Sequence, residues 1–327
     1  MNKVFLFILC GLGVFQLSAQ QDPQYTQNMF NRLATNPGFA GSTGSICATI
    51  LSREQWLGFE GNPRTNLFSA QGNFKIRQKY QMGAGLTIVQ DKIGPIQSLN
   101  VKAALSYHYR LGQGVLAGGL EFGIFNQSIN NDWITSEGNF DGTEDVSIPN
   151  DQVGATKFDL GLGLYYYTKD LYVGLSSTHL NQPSIDEKVD QTSTYTFEQS
   201  RHYYVTAGYN YPISTTFGEL ELQPSIFAKS DGVSTQVDLN TTVLYNNLVW
   251  VGVSYRVQDA VAALAGVKFE DINIPDDLKP LSIGFAYDFN VSEFSDYNDG
   301  TIEFMLNYCY KIPNIVKLER YKSVRFL

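Results

Sequence analysis

The sequence predicts an all-β chain, a transmembrane antiparallel β-barrel of about 14 strands. Three observations carry this: a period-two alternation of apolar and polar residues almost throughout, an export signal at the start, and connections that alternate between short and long. Composition agrees. Only 17% of the 327 residues are charged, against about a quarter in average globular usage. There are 20 Tyr and 21 Phe but 3 Trp. Abundant aromatic and β-branched residues exclude intrinsic disorder. After the first 20 residues no apolar run reaches the roughly 18 residues of a membrane helix. The net charge of −9 disfavours a nucleic-acid partner, because phosphates would be repelled.

Residues 1–20 read as a signal peptide. Lys3 precedes the apolar run Val4 to Phe15, and Leu17-Ser18-Ala19 supplies a small residue at the cleavage point beside Gln20. Residues 21–44, rich in Asn, Gln, Pro and Gly, suit irregular structure. They are expected at the periplasmic mouth, as a segment able to plug the barrel.

The barrel is expected over 45–312. Breaker clusters divide it into strands at 45–57, 66–78, 81–91, 97–111, 114–128, 157–168, 170–179, 199–213, 218–229, 233–246, 247–256, 260–270, 280–289 and 301–311. Removing 20 residues from 327 leaves 307. That is about 22 residues per strand with its connection, enough for the roughly 9–11 that cross a bilayer. Connections on one side are short (Lys79-Tyr80, Gly112-Gln113, Lys169-Asp170, Asn246-Asn247), with 271–279 the exception. The other side carries 58–65, 92–96, 129–156, 180–198 and 290–300, with 230–232 and 257–259 short. Outer-membrane barrels keep short periplasmic turns and long external loops.

The alternation assigns faces. Phe158, Leu160, Leu162, Leu164 and Tyr166 share one side, and Asp159, Gly161 and Gly163 the other. The aromatic outward faces, such as Tyr107, Tyr109, Tyr203, Tyr209, Tyr211 and Tyr255, suit interface girdles. The opposite parity turns Arg53, Lys102, Glu121, Asp159, Asp238, Arg256, Asp288 and Glu303 into the lumen. Eight charges there must pair or meet water. Cys47 and Cys309 share that inward parity, and barrel closure places their strands side by side. Whether they form a disulfide depends on a register the sequence does not give.

Several segments resemble one family. They are Asp22-Pro-Gln-Tyr-Thr-Gln-Asn-Met-Phe-Asn31, Asn36-Pro-Gly-Phe-Ala-Gly-Ser42, Arg53-Glu-Gln-Trp56 with Gly61-Asn-Pro-Arg-Thr65, Gln90-Asp-Lys-Ile-Gly94, Gly174-Leu-Ser-Ser-Thr-His-Leu180, Arg201-His-Tyr203, Val253-Ser-Tyr-Arg256 and Ile283-Gly-Phe-Ala-Tyr-Asp288. Together they resemble the PorP/SprF outer-membrane proteins of the type IX secretion and gliding-motility machinery of Bacteroidetes. Gly300-Thr-Ile-Glu303 departs from the family's glycine-serine-histidine-glutamate. The resemblance implies an outer-membrane protein that binds and anchors periplasmic ring components or a secreted surface adhesin. The alternative is a passive pore for small solutes.

No enzymatic site is expected. His108, His179 and His202 lie on separate strands without metal-ligand spacing, Gly-x-Ser-x-Gly is absent, and no cofactor motif is found. Asp141-Gly-Thr-Glu-Asp145 in the acidic loop 129–156 invites a calcium reading but lacks the full ligand register, so a solvated loop is favoured. After residue 312, Lys317, Arg320, Lys322 and Arg325 against Glu319 give +3. With Tyr321, Val324, Phe326 and Leu327 they form a candidate periplasmic docking peptide; a merely solvated basic tail is the alternative. The expected partners are proteins and the lipid bilayer, and the barrel is expected to be a monomer.

Overall fold

The computed structural model describes residues 22–77, 79–129, 134–135, 138–139, 153–188, 194–216, 218–270, 274–276 and 278–311. The signal peptide, most of the acidic loop with its Asp141–Asp145 stretch, and the basic tail lie outside these residues.

Fourteen antiparallel strands close into a barrel. They are β1 Ile46–Glu54, β2 Arg64–Ile76, β3 Tyr80–Ile93, β4 Ile96–Leu111, β5 Gly114–Ile129, β6 Val153–Tyr167, β7 Leu171–Thr178, β8 His202–Tyr209 continuing as Tyr211–Thr215, β9 Gly218–Ser230, β10 Thr235–Tyr245, β11 Val249–Arg256, β12 Ala260–Lys268, β13 Leu281–Asn290 and β14 Thr301–Tyr310. Each pairs with its sequence neighbours, and β1 closes on β14 with Ile46 opposite Tyr310 and Glu54 opposite Ile302. Purely local antiparallel pairing leaves no free edge.

The strand spans follow the alternation to within a few residues, with one informative departure. The predicted strand 199–213 breaks at Asn210, whose N–H bonds to the Asp170 carbonyl. Past the break, β8 pairs only with β9, with Pro212 opposite Glu221. Proline lacks the donor that a second neighbour would need, so it stands where the strand has a free side. At 16 residues each, β4 and β5 exceed what a bilayer requires, so their ends project beyond it. Small hairpins also form within the long loops, Ser184–Lys188 with Thr194–Glu198 and Ile134–Thr135 with Gly138–Asn139.

The outer face is apolar. Leu120 and Phe158 are 55% and 54% exposed, and Ile50, Leu105, Leu164, Val251 and Phe285 are exposed with them. An apolar belt of this extent on a soluble protein would be an aggregation surface; on a barrel it faces lipid tails. No helix among the described residues is long and apolar enough to cross a membrane.

Candidate functional site

The inward parity concentrates charge in a space with little water, and the fold meets that cost in two clusters. In the first, Arg53 reaches Asp288 at 2.9 Å and Glu303 at 3.2 Å. Arg256 reaches Asp288 at 3.2 Å and Asp238 at 3.3 Å, and also the partly exposed Asp259. In the second, Lys102 lies 3.3 Å from Glu121 and 3.8 Å from Asp159. The structure therefore brings all eight predicted lumen charges into these two groups, each of the eight at most 5% exposed. Removing one partner of such a group would leave an uncompensated buried charge.

Three of the first cluster's fully buried carboxylates, those of Asp238, Asp288 and Glu303, face only two arginines. Residues 22–44 make up the difference, running through the lumen as irregular chain with three short 3-10 turns, Asn28–Phe30, Arg32–Ala34 and Pro37–Phe39. The Thr26 and Gln27 backbone N–H groups donate to Glu303 at 2.8 and 2.7 Å. The Thr26 hydroxyl donates to Asp288 at 2.7 Å and accepts from Arg53 at 2.9 Å and Arg256 at 3.2 Å. Gln24 and Asn28 side-chain amides donate to Asp238. Hydrogen bonds to charged groups are the stronger kind.

Asp22, at the start of the described chain, receives the densest set of contacts. Its carboxylate accepts from the Tyr204 hydroxyl at 2.5 Å, the Gln199 amide at 3.1 Å and the Thr178 hydroxyl at 3.3 Å, and lies 3.0 Å from His179 Nε2. Its N–H donates to His202 Nε2, and Lys229 donates to its carbonyl. His179 Nδ1 lies 2.9 Å from Asp159, a charge contact poorly angled for a hydrogen bond, and so joins Asp22 to the second cluster.

Asp22, His179 and His202 also have the composition of a metal centre, their donor atoms lying within 4.8 Å of one another. The hydrogen bonding gives them another use. Both nitrogens of His202 are engaged, Nδ1 with the Ser200 carbonyl and Nε2 with the Asp22 N–H. Neither is free to ligate an ion without breaking the hold on Asp22.

The remainder of the segment is held by apolar contact and close approach. Tyr25 packs with Leu51, Leu67 and Val89, and Phe30 lies 4.8 Å from the Trp250 ring. Farther on, the backbone approaches the barrel wall where glycines face inward. A Cβ on Gly83 would stand 2.0 Å from the Ala40 carbonyl oxygen, and one on Gly119 2.3 Å from the Pro37 backbone. The Ala40 carbonyl accepts from Ser106 at 2.7 Å and the Asn36 amide donates to the Leu164 carbonyl.

The segment's position differs from the sequence expectation. The expectation is a segment folded into or under the mouth on the short-turn side; its start reaches farther, to Thr178, His179 and His202 at the long-loop ends of β7 and β8. The physical reason is the surplus of buried carboxylate, which only donors threaded deep into the lumen can satisfy. Period-two parity found the wall residues. It gave no warning of Asp22, Thr26, Tyr204 or Lys229 as a set, because an irregular segment has no period and the partners of Asp22 lie 156 to 207 residues away.

Cys47 and Cys309 face each other across the β1–β14 seam and are joined by a disulfide. The tail residues Lys317, Arg320, Tyr321, Lys322, Val324, Arg325, Phe326 and Leu327 lie outside the described residues.

Solved barrels resemble the chain distantly. The β-domain of the Bordetella autotransporter BrkA is 11% identical, with 82% of this chain and 99% of that one covered and a TM-score of 0.38. Acinetobacter baumannii Omp33 is 8% identical over 81% and 98%, at 0.44. The Ralstonia pickettii toluene transporter TbuX is 10% identical over 86% and 93%, at 0.46. At this distance they add nothing to the fold derived from strand pairing. No curated relative matches the chain. The family described as type IX secretion system membrane protein PorP/SprF matches residues 17–308. With nearly the whole barrel and its lumen segment inside that match, the chain belongs to the PorP/SprF family of type IX secretion system membrane proteins.

Proposed function

We propose that this barrel acts in type IX secretion by binding and anchoring protein partners, periplasmic ring components or a secreted surface adhesin, and not by conducting solutes or by covalent chemistry. The observation that supports this is the filled lumen. Residues 22–44 hydrogen-bond the inward charges that a polar channel would leave to water. The short-turn face is then the periplasmic side and the long loops are external. The partner contacts are assigned to those exposed ends, with the basic tail from Lys317 to Leu327 on the periplasmic side. The barrel works as a monomer after its signal peptide is removed.

Crosslinking in intact membranes followed by pull-down tests this reading. Type IX periplasmic proteins or a secreted adhesin should be recovered, and removing 313–327 should reduce the periplasmic ones. Recovery unchanged by that deletion would end the role of the tail. Single-channel recording separates the solute-pore reading: the intact barrel should stay closed, and deleting 21–40 behind an intact signal should open it.

A further inference from the structure

At the short-turn end, the lumen segment and the β6–β7 turn enclose a cavity of about 190 Å³. Arg32 lines it, lying over the Tyr172 ring at 3.7 Å from the centroid, 5.7 Å from that of Phe39, and donating to the Tyr165 hydroxyl at 3.2 Å. No carboxylate among the described residues lies within ion-pair distance of it. Arg53, Arg256 and Lys102 each touch one. Two residues that line this cavity each carry a buried polar atom without a hydrogen-bond partner, Arg32 Nε and Ser42 Oγ. Ring faces attract a guanidinium, but they do not use its in-plane N–H groups. Lys169, exposed on the turn, adds a second positive charge at the rim. Asp170 also lies on the rim but makes no ion pair with Arg32.

We propose that this cavity is a binding site for a carboxylate, the acidic side chain of a peptide presented from the short-turn side. The planar guanidinium edge matches a carboxylate's two oxygens. The Ser42 hydroxyl supplies a further donor, and the aromatic walls of Phe39, Tyr165 and Tyr172 take the apolar stem. The site deepens the anchoring reading by giving one partner contact a place and a chemistry. It rests on that reading only for the partner being a protein.

The test uses purified full-length barrel in detergent, with acetyl-Phe-Glu-amide and acetyl-Phe-Gln-amide as probes in saturation-transfer NMR titrations. The Glu probe should bind at least about tenfold more tightly than its neutral isostere, the scale of a charge-assisted hydrogen bond. Arg32→Gln should abolish that preference. Lys169→Gln, at an exposed position that leaves folding intact, should weaken the Glu probe a few-fold. Equal binding of the two probes, or an undiminished preference in Arg32→Gln with heat-modifiable gel migration unchanged, would overturn the proposal. Probe binding with an empty crosslinking pull-down would leave this site standing and sink the anchoring reading; the reverse result would do the opposite.

Discussion

The two halves of the lumen segment are held by different physics. From Asp22 to Asn28 the contacts are hydrogen bonds to buried ions, directed and mutually dependent. From Asn36 to Gly41 the backbone lies against inward glycines, with few charged partners and little clearance. The first half is specified by charge balance and the second by shape. One altered charge should disturb the first half at long range, whereas the second should fail only where a side chain is inserted.

Arg53→Ala should give the largest effect. It leaves Asp288 and Glu303 short of a cation, at a cost of about 3–5 kcal/mol, and should loosen Asp22–Asn28 while Asn36–Gly41 stays seated. Hydrogen exchange resolved along the segment checks this; uniform loss of protection would erase the distinction between the halves. Thr26→Val keeps the volume and removes the hydroxyl that links Asp288 to both arginines. About 1.5–3 kcal/mol should be lost, again at the leading end, read as a lower temperature of heat-modified gel migration. Gly119→Val should cost about 1–3 kcal/mol by overpacking against Pro37 and raise exchange in Asn36–Gly41 alone. Spread of that effect to Thr26 would show that the halves move as one.

The wall was legible in the sequence and the filling was not. Alternation along Phe158–Tyr166 or Ile302–Tyr310 states which side chain points inward, because a strand repeats every two residues whatever its neighbours are. Barrel closure then sets the strands of Cys47 and Cys309 side by side, but the register that pairs the two cysteines is visible only in the structure. The interruption at Asn210 was hidden because Tyr209, Tyr211 and Ile213 continue the apolar alternation across Pro212. The sequence located eight lumen charges, but their imbalance depends on which meet, and register decides that. The orphaned Arg32 Nε was invisible for the same reason. A single arginine in an Asn-rich stretch looks solvated until the rings of Tyr172 and Phe39 are found against it.

The bond between Cys47 and Cys309 has a topological consequence. It turns the chain from one cysteine to the other into a covalent ring, and residues 22–44 pass through the middle of that ring. The molecule is thus a lariat, its free end drawn through its own loop. Such a ring cannot part along the line between its first and last staves while the sulfurs stay joined. The threaded segment can leave only by being drawn back along its length.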